Sequence, residues 1–424
     1  MIDIKLIRDD PDKYAEAGRL KLIEADVAGL LETDAKLTDA RRELQEARTA
    51  QNAAGKRIAK LSGQEKADAI AEMQSLKARV KELGELIEQL EPTFRERMLR
   101  ICQPPAPDVP VGQDDTENVT LREEGEIRRF DFEPKDHVEL GAALEIIDIP
   151  RGVKLAGSRN FVLKGAGAML HQAVLRLAID QMIERGYTLM TVPVLVNEAV
   201  MYGTGYFPLG RDQAYLAERD AMSLVGTAEV PLTGYHTDEI LAEAELPRKY
   251  VALSTCFRRE AGAAGKDTYG LYRIHYFDKV EQVIVAANDE QASIEFHQEI
   301  LANAEGVLKA LELPYRVVNV CTGDLGQGQV QKFDIETWMP SRDSYGETHS
   351  ASRFHEFQAR RLNIRYRDAG GRIRFCHTLN NTVIASPRIL IPLLELNQNA
   401  DGTVTVPEAL RPYMDGMATI GPPA

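Results

Sequence analysis

The sequence has few cysteines and no long apolar run. Its four cysteines, Cys102, Cys256, Cys321 and Cys376, are scattered over 424 residues without a CxxC pair, which argues against a zinc site and favours a reducing compartment. No apolar stretch approaches the roughly 20 residues that a membrane helix needs. The charged N-terminus also lacks the apolar core of a secretory signal. These absences predict a cytoplasmic protein with no membrane partner.

Common nucleotide-binding and metal-binding motifs are also missing. There is no G-x-x-x-x-G-K-[ST] loop and no G-x-G-x-x-G fingerprint, so neither a P-loop nor a Rossmann site is expected. The eight histidines have no metal-ligand spacing. A net charge of −14 has the wrong sign for general nucleic-acid binding, so any RNA contact must come from a local basic patch.

The length and one proline-rich segment predict two domains. A chain of 424 residues exceeds the usual size of one core. Residues 101–120 are rich in proline and polar residues, which is typical of a linker. We therefore expect an N-terminal domain at 1–103, a linker at 104–120 and a second domain at 121–424.

Two heptad repeats lie within residues 34–98. Apolar residues recur at spacings of three and four on both sides of Ser62-Gly63, and one seam position, Gln51, is polar. This pattern predicts an antiparallel hairpin of two helices, reaching roughly 35–40 Å. Six basic and two acidic residues at 41–60 give a local charge of +4. A dimerisation coiled coil and an arm that lies along an RNA backbone both remain open.

Several further elements are predicted from local pattern. We expect a short strand at IDIKLI, a helix that begins at an Asp10 cap, and a long amphipathic helix that ends near Gly186. YTLMTVPVLV is predicted to be an edge strand that contains Pro193. We also expect a helix at 288–312, a strand followed by the turn YGETHSAS, and a last helix kinked by Pro392.

The stretch from Val251 to Val285 predicts two long strands joined by a Gly/Ala-rich loop. Side-chain alternation places Cys256, Arg258 and Glu260 on one face of the first strand. The second strand carries Arg273, His275, Phe277, Lys279 and Glu281 on one face. Such a surface is either a solvated sheet face or a ligand site, in which arginine meets phosphate and phenylalanine meets a purine.

The sequence motifs in this stretch favour the ligand-site interpretation. FRRE, the loop, RIHYF and VE resemble motif 2 of class II aminoacyl-tRNA synthetases, in the form found in seryl-tRNA synthetases. The resemblance extends over almost the whole chain through GTAEVPLT, TGDLG, YGETHSAS, FQARRLNIRYR, TLNNT with PRIL, and VPEALRPYM. The signature motifs of class I aminoacyl-tRNA synthetases, HxGH and KMSKS, are absent.

The resemblance implies a fold, a reaction and partners. The fold is α+β: a coiled-coil arm that binds tRNA, then a class II catalytic domain with an antiparallel sheet flanked by helices. The reaction is activation of serine by ATP and transfer to the 3′ end of serine tRNA, and of selenocysteine tRNA where it exists. ATP and Mg²⁺ are implied, zinc is not, and the long helix and following strand resemble motif 1, a homodimer interface.

Site residues follow from the same resemblance. Arg258, Arg388 and Glu347 are implied as catalytic, and Glu347 and Ser350 as Mg²⁺ ligands. The implied ATP site comprises Arg258, Arg259, Glu260, Arg273, Phe277, Glu347, Thr348, His349, Ser350 and Arg388. The implied serine site comprises Thr227, Ala228, Glu229, Arg258, Glu281, Asn380 and Thr382. Taken alone, Thr227 and Thr382 are equally compatible with helix caps, Ser350 with a turn, and His275 and His349 with structural roles.

Departures from the common pattern lie close to the nucleotide. Arg259 replaces a small residue, Tyr276 replaces glutamine, and Gly346 stands where arginine often precedes the metal-binding glutamate. Two other functions stay open: a seryl-adenylating paralogue that serves a carrier protein or biosynthetic pathway, and a coiled-coil interaction protein with an inactive catalytic domain. The arm speaks against the first, and the complete residue set speaks against the second.

Overall fold

The computed structural model describes residues 1–261 and 269–422. Residues 262–268, which include most of the predicted hairpin loop, lie outside the described residues. The chain divides into two compact units, Met1–Pro104 and Pro105–Ala424. In the part of the chain that the structure describes, no helix is long and apolar enough to cross a membrane.

The first unit is helical. Its helices are α1 (Ile4–Asp9), α2 (Pro11–Leu20), α3 (Val27–Ile58) and α4 (Gly63–Arg100). The predicted strand at IDIKLI is wrong, because this segment forms α1. The Asp3 carboxylate accepts from the Lys5 N–H and caps this helix. The predicted start of α2 is confirmed, with Asp10 as N-cap and Pro11 in the first turn.

The heptad hairpin is confirmed, and its two helices are longer than the repeats. The seam residues Leu37, Ala40, Ala47 and Ala54 of α3 are buried, and so is Leu83 of α4. The remaining seam positions, Gln51 included, are at least partly covered. Since an isolated helix gains little stability in water, burial of this seam is what holds the hairpin together.

The second unit contains the large sheet. Its helices are α5 (His137–Ala143), α6 (Ile149–Ala156), α7 (Ala166–Glu184), α8 (Glu198–Thr204), α9 (Glu229–Gly234), α10 (Glu290–Ala310), α11 (Phe357–Leu362) and α12 (Leu390–Leu396). Its strands are β1 (Val119–Glu124), β2 (Ile147–Asp148), β3 (Val162–Leu163), β4 (Thr188–Met190), β5 (Leu195–Asn197), β6 (Leu216–Ala217), β7 (Met222–Leu224), β8 (Ile240–Ala242), β9 (Arg248–Phe257), β10 (Tyr276–Ala286), β11 (Tyr315–Asn319), β12 (Gln331–Met339), β13 (Ser344–Arg353), β14 (Arg365–Arg367), β15 (Ile373–Phe375), β16 (His377–Ser386), β17 (Val404–Thr405) and β18 (Thr419–Ile420).

The central sheet is antiparallel except at one edge. Its order in the described residues is β1-β11-β12-β13-β16-β10-β9-β4, and β4 runs parallel to β9. Helices α7 and α10 pack on the sheet through buried apolar residues such as Val174, Ala178, Leu301 and Ala304. The predicted α+β class, a sheet flanked by helices, is confirmed.

Three local predictions are corrected. YTLMTVPVLV forms two short strands, β4 and β5, and Pro193 lies between them, where no ladder bond needs its missing N–H. YGETHSAS is not a turn but lies within β13, and the reversal occurs in the 3₁₀ helix Pro340–Arg342. Pro392 is the third residue of α12, where backbone N–H groups have no intrahelical acceptor, so no kink is required.

The segment predicted as a linker packs against the second unit after Pro104. Ala106 and Val109 are buried in a cluster with Val318 and Val330. The Ala106 N–H donates to the Val330 carbonyl at 2.8 Å. Apolar residues between the prolines therefore pack residues 105–110 against the central sheet of the second unit.

Candidate active site

A pocket of about 500 Å³, its open mouth included, lies where β10, β16 and β13 are neighbours. Polar and apolar side chains share its wall, which includes two arginines and two glutamates. Its lining comprises Arg258, Glu260, Leu271, Tyr272, Ile274, Phe277, Lys279, Glu347, Thr348, Thr382, Ala385 and Arg388. Most of the predicted ATP residues are therefore brought together in one cavity.

The predicted hairpin pairs as expected, but its strands are shorter. β9 ends at Phe257, and Glu260 has a left-handed backbone with φ of 52°, so strict alternation does not carry Arg258 and Glu260 to the pocket. The Arg258 N–H donates to the His275 carbonyl at 2.9 Å, while the ring Nδ1 of His275 lies 3.0 Å from the Arg258 carbonyl. These bonds extend the pairing beyond the strands.

Arg258 and Phe277 contact each other in the pocket lining. The guanidinium carbon of Arg258 lies 5.1 Å from the centre of the Phe277 ring, within the range of a cation–π contact. Burial lowers the pKa of Arg258, but Tyr206, Cys256 and Glu347 outweigh it and the pKa is raised. The site therefore keeps a permanent positive charge beside a flat apolar ring.

Arg273 lies outside the pocket lining and contacts Glu260. An Nη1 to Oε2 distance of 3.2 Å defines an ion pair between them. The Arg273 side chain is one-third exposed. The pair gives each partner a fixed position, and Arg273 must exchange this contact if it binds an anion.

Arg388 follows β16 and is held by two backbone carbonyls. Its Nε donates to the Tyr272 carbonyl and its Nη1 to the Glu347 carbonyl, each at 2.9 Å. Its guanidinium carbon also lies 4.5 Å from the Tyr272 ring centre. These contacts fix the planar group at the pocket wall, as bidentate recognition of an anion requires.

An acidic cluster borders the pocket on β12 and β13. Burial raises the pKa of Glu347, but Arg388, Lys332 and Arg258 outweigh it and the pKa is lowered. Burial also raises the pKa of Asp334 to about 7, although Lys332 opposes this shift from 3.3 Å. Glu347 is therefore ionised at neutral pH.

Ser350 lies directly opposite Asp334 in the pairing of β12 with β13. The buried Oδ1 of Asp334 makes no hydrogen bond to the described residues. The described residues contain no group of three His, Cys, Asp or Glu that could hold a metal ion. A cation here would need ligands from outside the chain in addition to Glu347 and Ser350.

A second polar cluster adjoins the pocket and is almost fully buried. Lys279 Nζ lies 2.5 Å from Glu281 Oε2, and Thr382 Oγ1 donates to the same oxygen at 3.5 Å. Gln358 Nε2 donates to Glu229 Oε1 at 2.7 Å. Burial raises the pKa of Glu229 to about 7, with Glu281 adding to the shift.

The predicted serine residues all belong to this cluster or border it. The Glu229 N–H donates to Thr227 Oγ1 at 3.2 Å, so Thr227 supports the first turn of α9, whose N-cap is Ala228. Asn380 lies close enough to Glu229 to lower its pKa. Thr382 lies within β16, so the helix-cap alternative for this residue is wrong.

Some predicted ATP residues lie elsewhere. Arg259 is exposed, and its N–H donates to the Gln213 carbonyl. His349 is buried, with Nδ1 2.8 Å from Thr348 Oγ1, and it does not line the pocket. Ser350 also lies outside the lining, although Thr348 lies within it.

The family resemblance implies no role for three residues near the pocket. Strand alternation places Lys279 on the charged face between Phe277 and Glu281, but the resemblance gives it no function. Lys332 is likewise two residues from Asp334. Tyr272 precedes the strand, and no local pattern marks it.

Comparisons with known proteins agree with this geometry. Residues 1–105 match the Seryl-tRNA synthetase N-terminal domain, and residues 215–397 match the tRNA synthetase class II core domain (G, H, P, S and T). The serine--tRNA ligases of Deinococcus radiodurans and Rubrobacter xylanophilus are each 44% identical to the chain; the matches cover all of this chain and 100% and 99% of those proteins, respectively.

A solved structure shows the same fold over its whole length. The seryl-tRNA synthetase of Pyrococcus horikoshii, complexed with ATP, has a TM-score of 0.93 and 36% identity, and both chains are fully covered. Two family matches that together span most of the sequence, full-length relatives and a charged pocket on an antiparallel sheet lead to one conclusion: the chain belongs to the seryl-tRNA synthetase family.

Proposed function

We propose that this chain activates L-serine with ATP to form seryl-adenylate and pyrophosphate, and then transfers serine to the 3′ end of serine tRNA. The observation that carries the proposal is the convergence of Arg258, Phe277, Glu347 and Arg388 on one pocket beside a buried polar cluster. Ligase activity in relatives that match the full chain supports it. Selenocysteine tRNA is a further proposed substrate.

The proposed activation step needs no protein nucleophile. The serine carboxylate attacks the α-phosphorus, the new acyl–phosphate bond forms, and pyrophosphate leaves. Arg258 contacts both the α-phosphate and the serine carboxylate, while Arg273 and Arg388 bind the β- and γ-phosphates. Catalysis then consists of positioning and electrostatic stabilisation of developing phosphate charge.

Phe277 is proposed to stack on adenine, with Glu260 near its amino group. The Arg258 guanidinium packs on the Phe277 ring, and both groups line the pocket, so the contact holds the ring in the pocket wall. Arg259, Thr348, His349 and Ser350 complete the proposed ATP set by sequence position. Of these, only Thr348 lines the pocket.

Serine recognition is proposed for the buried polar cluster. Thr227, Ala228 and Glu229 meet the amine, while Glu281, Thr382 and Asn380 meet the hydroxyl. Burial of Glu281 and Thr382 supports discrimination. When alanine binds, these polar groups lose the hydroxyl partner, and the unmatched buried groups disfavour the wrong substrate.

Mg²⁺ is proposed to bind at Glu347 and Ser350. The donor set fits a hard cation because it offers only oxygen atoms, and the unbonded Oδ1 of Asp334 lies in the same cluster. When bound there, Mg²⁺ supplies positive charge to the phosphates. The chain's own contribution is to hold an ionised carboxylate among Arg258, Arg388 and Lys332.

The helical hairpin α3–α4 is proposed to bind the tRNA. Within 41–60, Arg41, Arg42 and Arg57 are paired with acids. The structure gives exposed Arg48, Lys56 and Lys60 no ion pair with the described residues, so they can meet RNA phosphates without breaking an internal contact. The domain assignment is therefore a tRNA-binding unit at 1–103 and a catalytic unit at 121–424.

A homodimer is proposed through the face around Pro193. Leu189, Leu195 and Tyr235 are 44%, 36% and 56% exposed there, and an apolar groove lies between the segments that carry Leu195 and Tyr235. Exposed apolar surface of this kind is typical of an association site. A cytoplasmic location is proposed from the four free, buried cysteines.

The decisive assay is serine-dependent ATP–pyrophosphate exchange. Wild-type protein is expected to show exchange, and Arg258→Ala is expected to reduce it by about 10³-fold because a preorganised phosphate contact is lost. Arg372→Ala, an exposed arginine paired with Asp368 and absent from the pocket lining, is the matched control. Unchanged exchange in Arg258→Ala contradicts the site assignment, and no exchange in wild-type protein contradicts the function.

Charging of serine tRNA separates the alternatives. A paralogue that serves a carrier protein forms seryl-adenylate but leaves tRNA uncharged, and an inactive interaction protein does neither. Transfer of serine to tRNA, with a requirement for the tRNA's long variable arm, is the expected result.

A further inference from the structure

A buried lysine lies where the pocket meets the adjoining polar cluster. Lys279 lines the pocket, and its side chain is only 7% exposed. Its Nζ lies 2.5 Å from Oε2 of Glu281, which is two residues further along β10. Among the described residues, the ammonium group has no second ion-pair partner. Since a buried charge is costly without an opposite charge, Lys279 and Glu281 form one unit of the sheet.

Small residues on the neighbouring strands leave room for this ion pair. On β9, Ser254 lies opposite Lys279. On the same strand, Ala252 lies opposite Glu281. On β16, Ala385 lies opposite Lys279. Side chains directly opposite each other in an antiparallel pair lie on the same face of the sheet. The two long charged side chains therefore occupy a face on which these neighbours project little.

An irregularity in β16 brings Thr382 to the same carboxylate. Val280 lies opposite Ile384, whereas the next residue of β10, Glu281, lies opposite Thr382. One residue of β16, Val383, is therefore unpaired at this point, as in a β-bulge. In a regular ladder Val383 would lie opposite Glu281. The bulge thus replaces an apolar neighbour of the carboxylate by a hydroxyl group, and bulges with this effect occur beside active sites.

Both contacts engage the same oxygen of Glu281. Lys279 Nζ and Thr382 Oγ1 both reach Oε2. In the part of the chain that the structure describes, no hydrogen bond reaches Oε1, and the side chain is only 2% exposed. A buried carboxylate oxygen without a hydrogen-bond donor is costly. Oε1 is therefore held where a donor from a bound ligand would complete its hydrogen bonding.

The charge of Lys279 also acts on two neighbouring carboxyl groups. Burial raises the pKa of Glu229 to about 7, and Lys279 is among the groups that oppose this shift. Together with Arg388 and Lys332, Lys279 also lowers the pKa of Glu347 on the ATP side of the pocket. A test of Lys279 must therefore separate an effect on serine from an effect on ATP.

We propose that Lys279 is a positioning residue for serine specificity: it anchors Oε2 of Glu281, so that Oε1 is presented to the hydroxyl group of serine. The lysine acts through the glutamate and does not contact the hydroxyl group itself. A carboxylate that is already oriented loses less side-chain freedom when the substrate binds. Alanine has no hydroxyl group and gains nothing from this orientation, so the contribution is selective for serine. The inference rests on the proposed activation of serine in this site.

The first test compares serine with alanine in ATP–pyrophosphate exchange. Lys279→Met keeps the length of the side chain and removes its charge. It is expected to lower kcat/KM for serine about tenfold, the loss of one well-placed hydrogen bond to a charged group. For alanine, kcat/KM is expected to change less than about threefold, and so is KM for ATP. Equal losses for serine and alanine, or an unchanged ratio of the two, overturn the proposal.

The matched control is a second lysine–glutamate pair on the same sheet. Lys249 of β9 lies 2.7 Å from Glu299, its side chain is 25% exposed, and it does not line the pocket. Lys249→Met therefore breaks a comparable ion pair away from the site. The ratio of kcat/KM for serine to that for alanine is expected to stay at the wild-type value. A fall equal to that in Lys279→Met would show that any broken pair in the sheet has this effect, which overturns the proposal.

A double-mutant cycle tests whether Lys279 acts through Glu281. In the Glu281→Gln background, Lys279→Met is expected to change the serine/alanine ratio less than about twofold, because the carboxylate that it positions is already gone. A further tenfold fall overturns the proposal. The double variant buries no unpaired charge, so this comparison remains decisive if Lys279→Met alone does not fold, as judged by thermal unfolding. Absence of exchange in wild-type protein would instead be a failure of the proposed function.

Discussion

The titration of the Glu229 carboxyl group is expected to make serine affinity depend on pH. Burial at the start of α9 raises the pKa of its carboxyl to about 7, and Glu281 adds to the shift. Gln358, Lys279 and Asn380 act in the opposite direction. The group is therefore about half protonated near neutral pH in the free protein, whereas an ordinary glutamate is fully ionised.

The direction of the effect follows from the charge of the ligand. In the proposed serine site the ammonium group of serine pairs with the ionised carboxylate, so a protonated Glu229 would have to lose its proton before serine binds. With a pKa of about 7, the ionised fraction falls about tenfold between pH 8 and pH 6. Serine affinity is expected to fall by the same factor, about tenfold, over this range.

The assay is calorimetric titration of serine, or KM for serine in pyrophosphate exchange at saturating ATP, from pH 6 to pH 8. Glu229→Gln carries no titrating group and is expected to bind serine weakly but with little pH dependence. KM for ATP, measured in the same buffers, reports any general effect of pH on the site. A flat serine profile in wild-type protein, or an equal slope in Glu229→Gln, refutes the reasoning.

Three further predictions follow from the same structure. Thr382→Val should raise KM for serine about tenfold and reduce the preference for serine over alanine, because a hydroxyl partner is lost; an unchanged preference in exchange assays contradicts the pocket assignment. Arg48→Glu/Lys56→Glu/Lys60→Glu should weaken tRNA charging and its salt dependence while seryl-adenylate formation stays intact; equal charging refutes the RNA role of the arm. Leu83→Ala should destabilise the helical hairpin by about 2–4 kcal/mol, since its side chain is buried in the seam; a change below about 0.5 kcal/mol in denaturant unfolding, followed by circular dichroism, would refute this.

The elements with strong local patterns were predictable from the sequence. The heptad spacing of α3 and α4, the Asp10 cap of α2 and the paired strands β9 and β10 all rest on short-range periodicity or capping. Where local signals were weak, prediction failed. IDIKLI has strand-like composition but forms α1, and YGETHSAS has turn-like composition but lies in β13, because pairing with β12 outweighs its composition.

The sequence by itself determined three things: the family resemblance, the identity of the arginines and carboxylates that meet at the pocket, and the helical hairpin. Each could be predicted because the motif or repeat that indicates it consists of residues close together in the chain. Only the tertiary structure decided which side chains touch. Glu395 bonds to His137 across 258 positions, and Thr382 reaches Glu281 across 101. The raised pKa of Glu229 likewise comes from burial and close packing between distant segments, which no local pattern encodes.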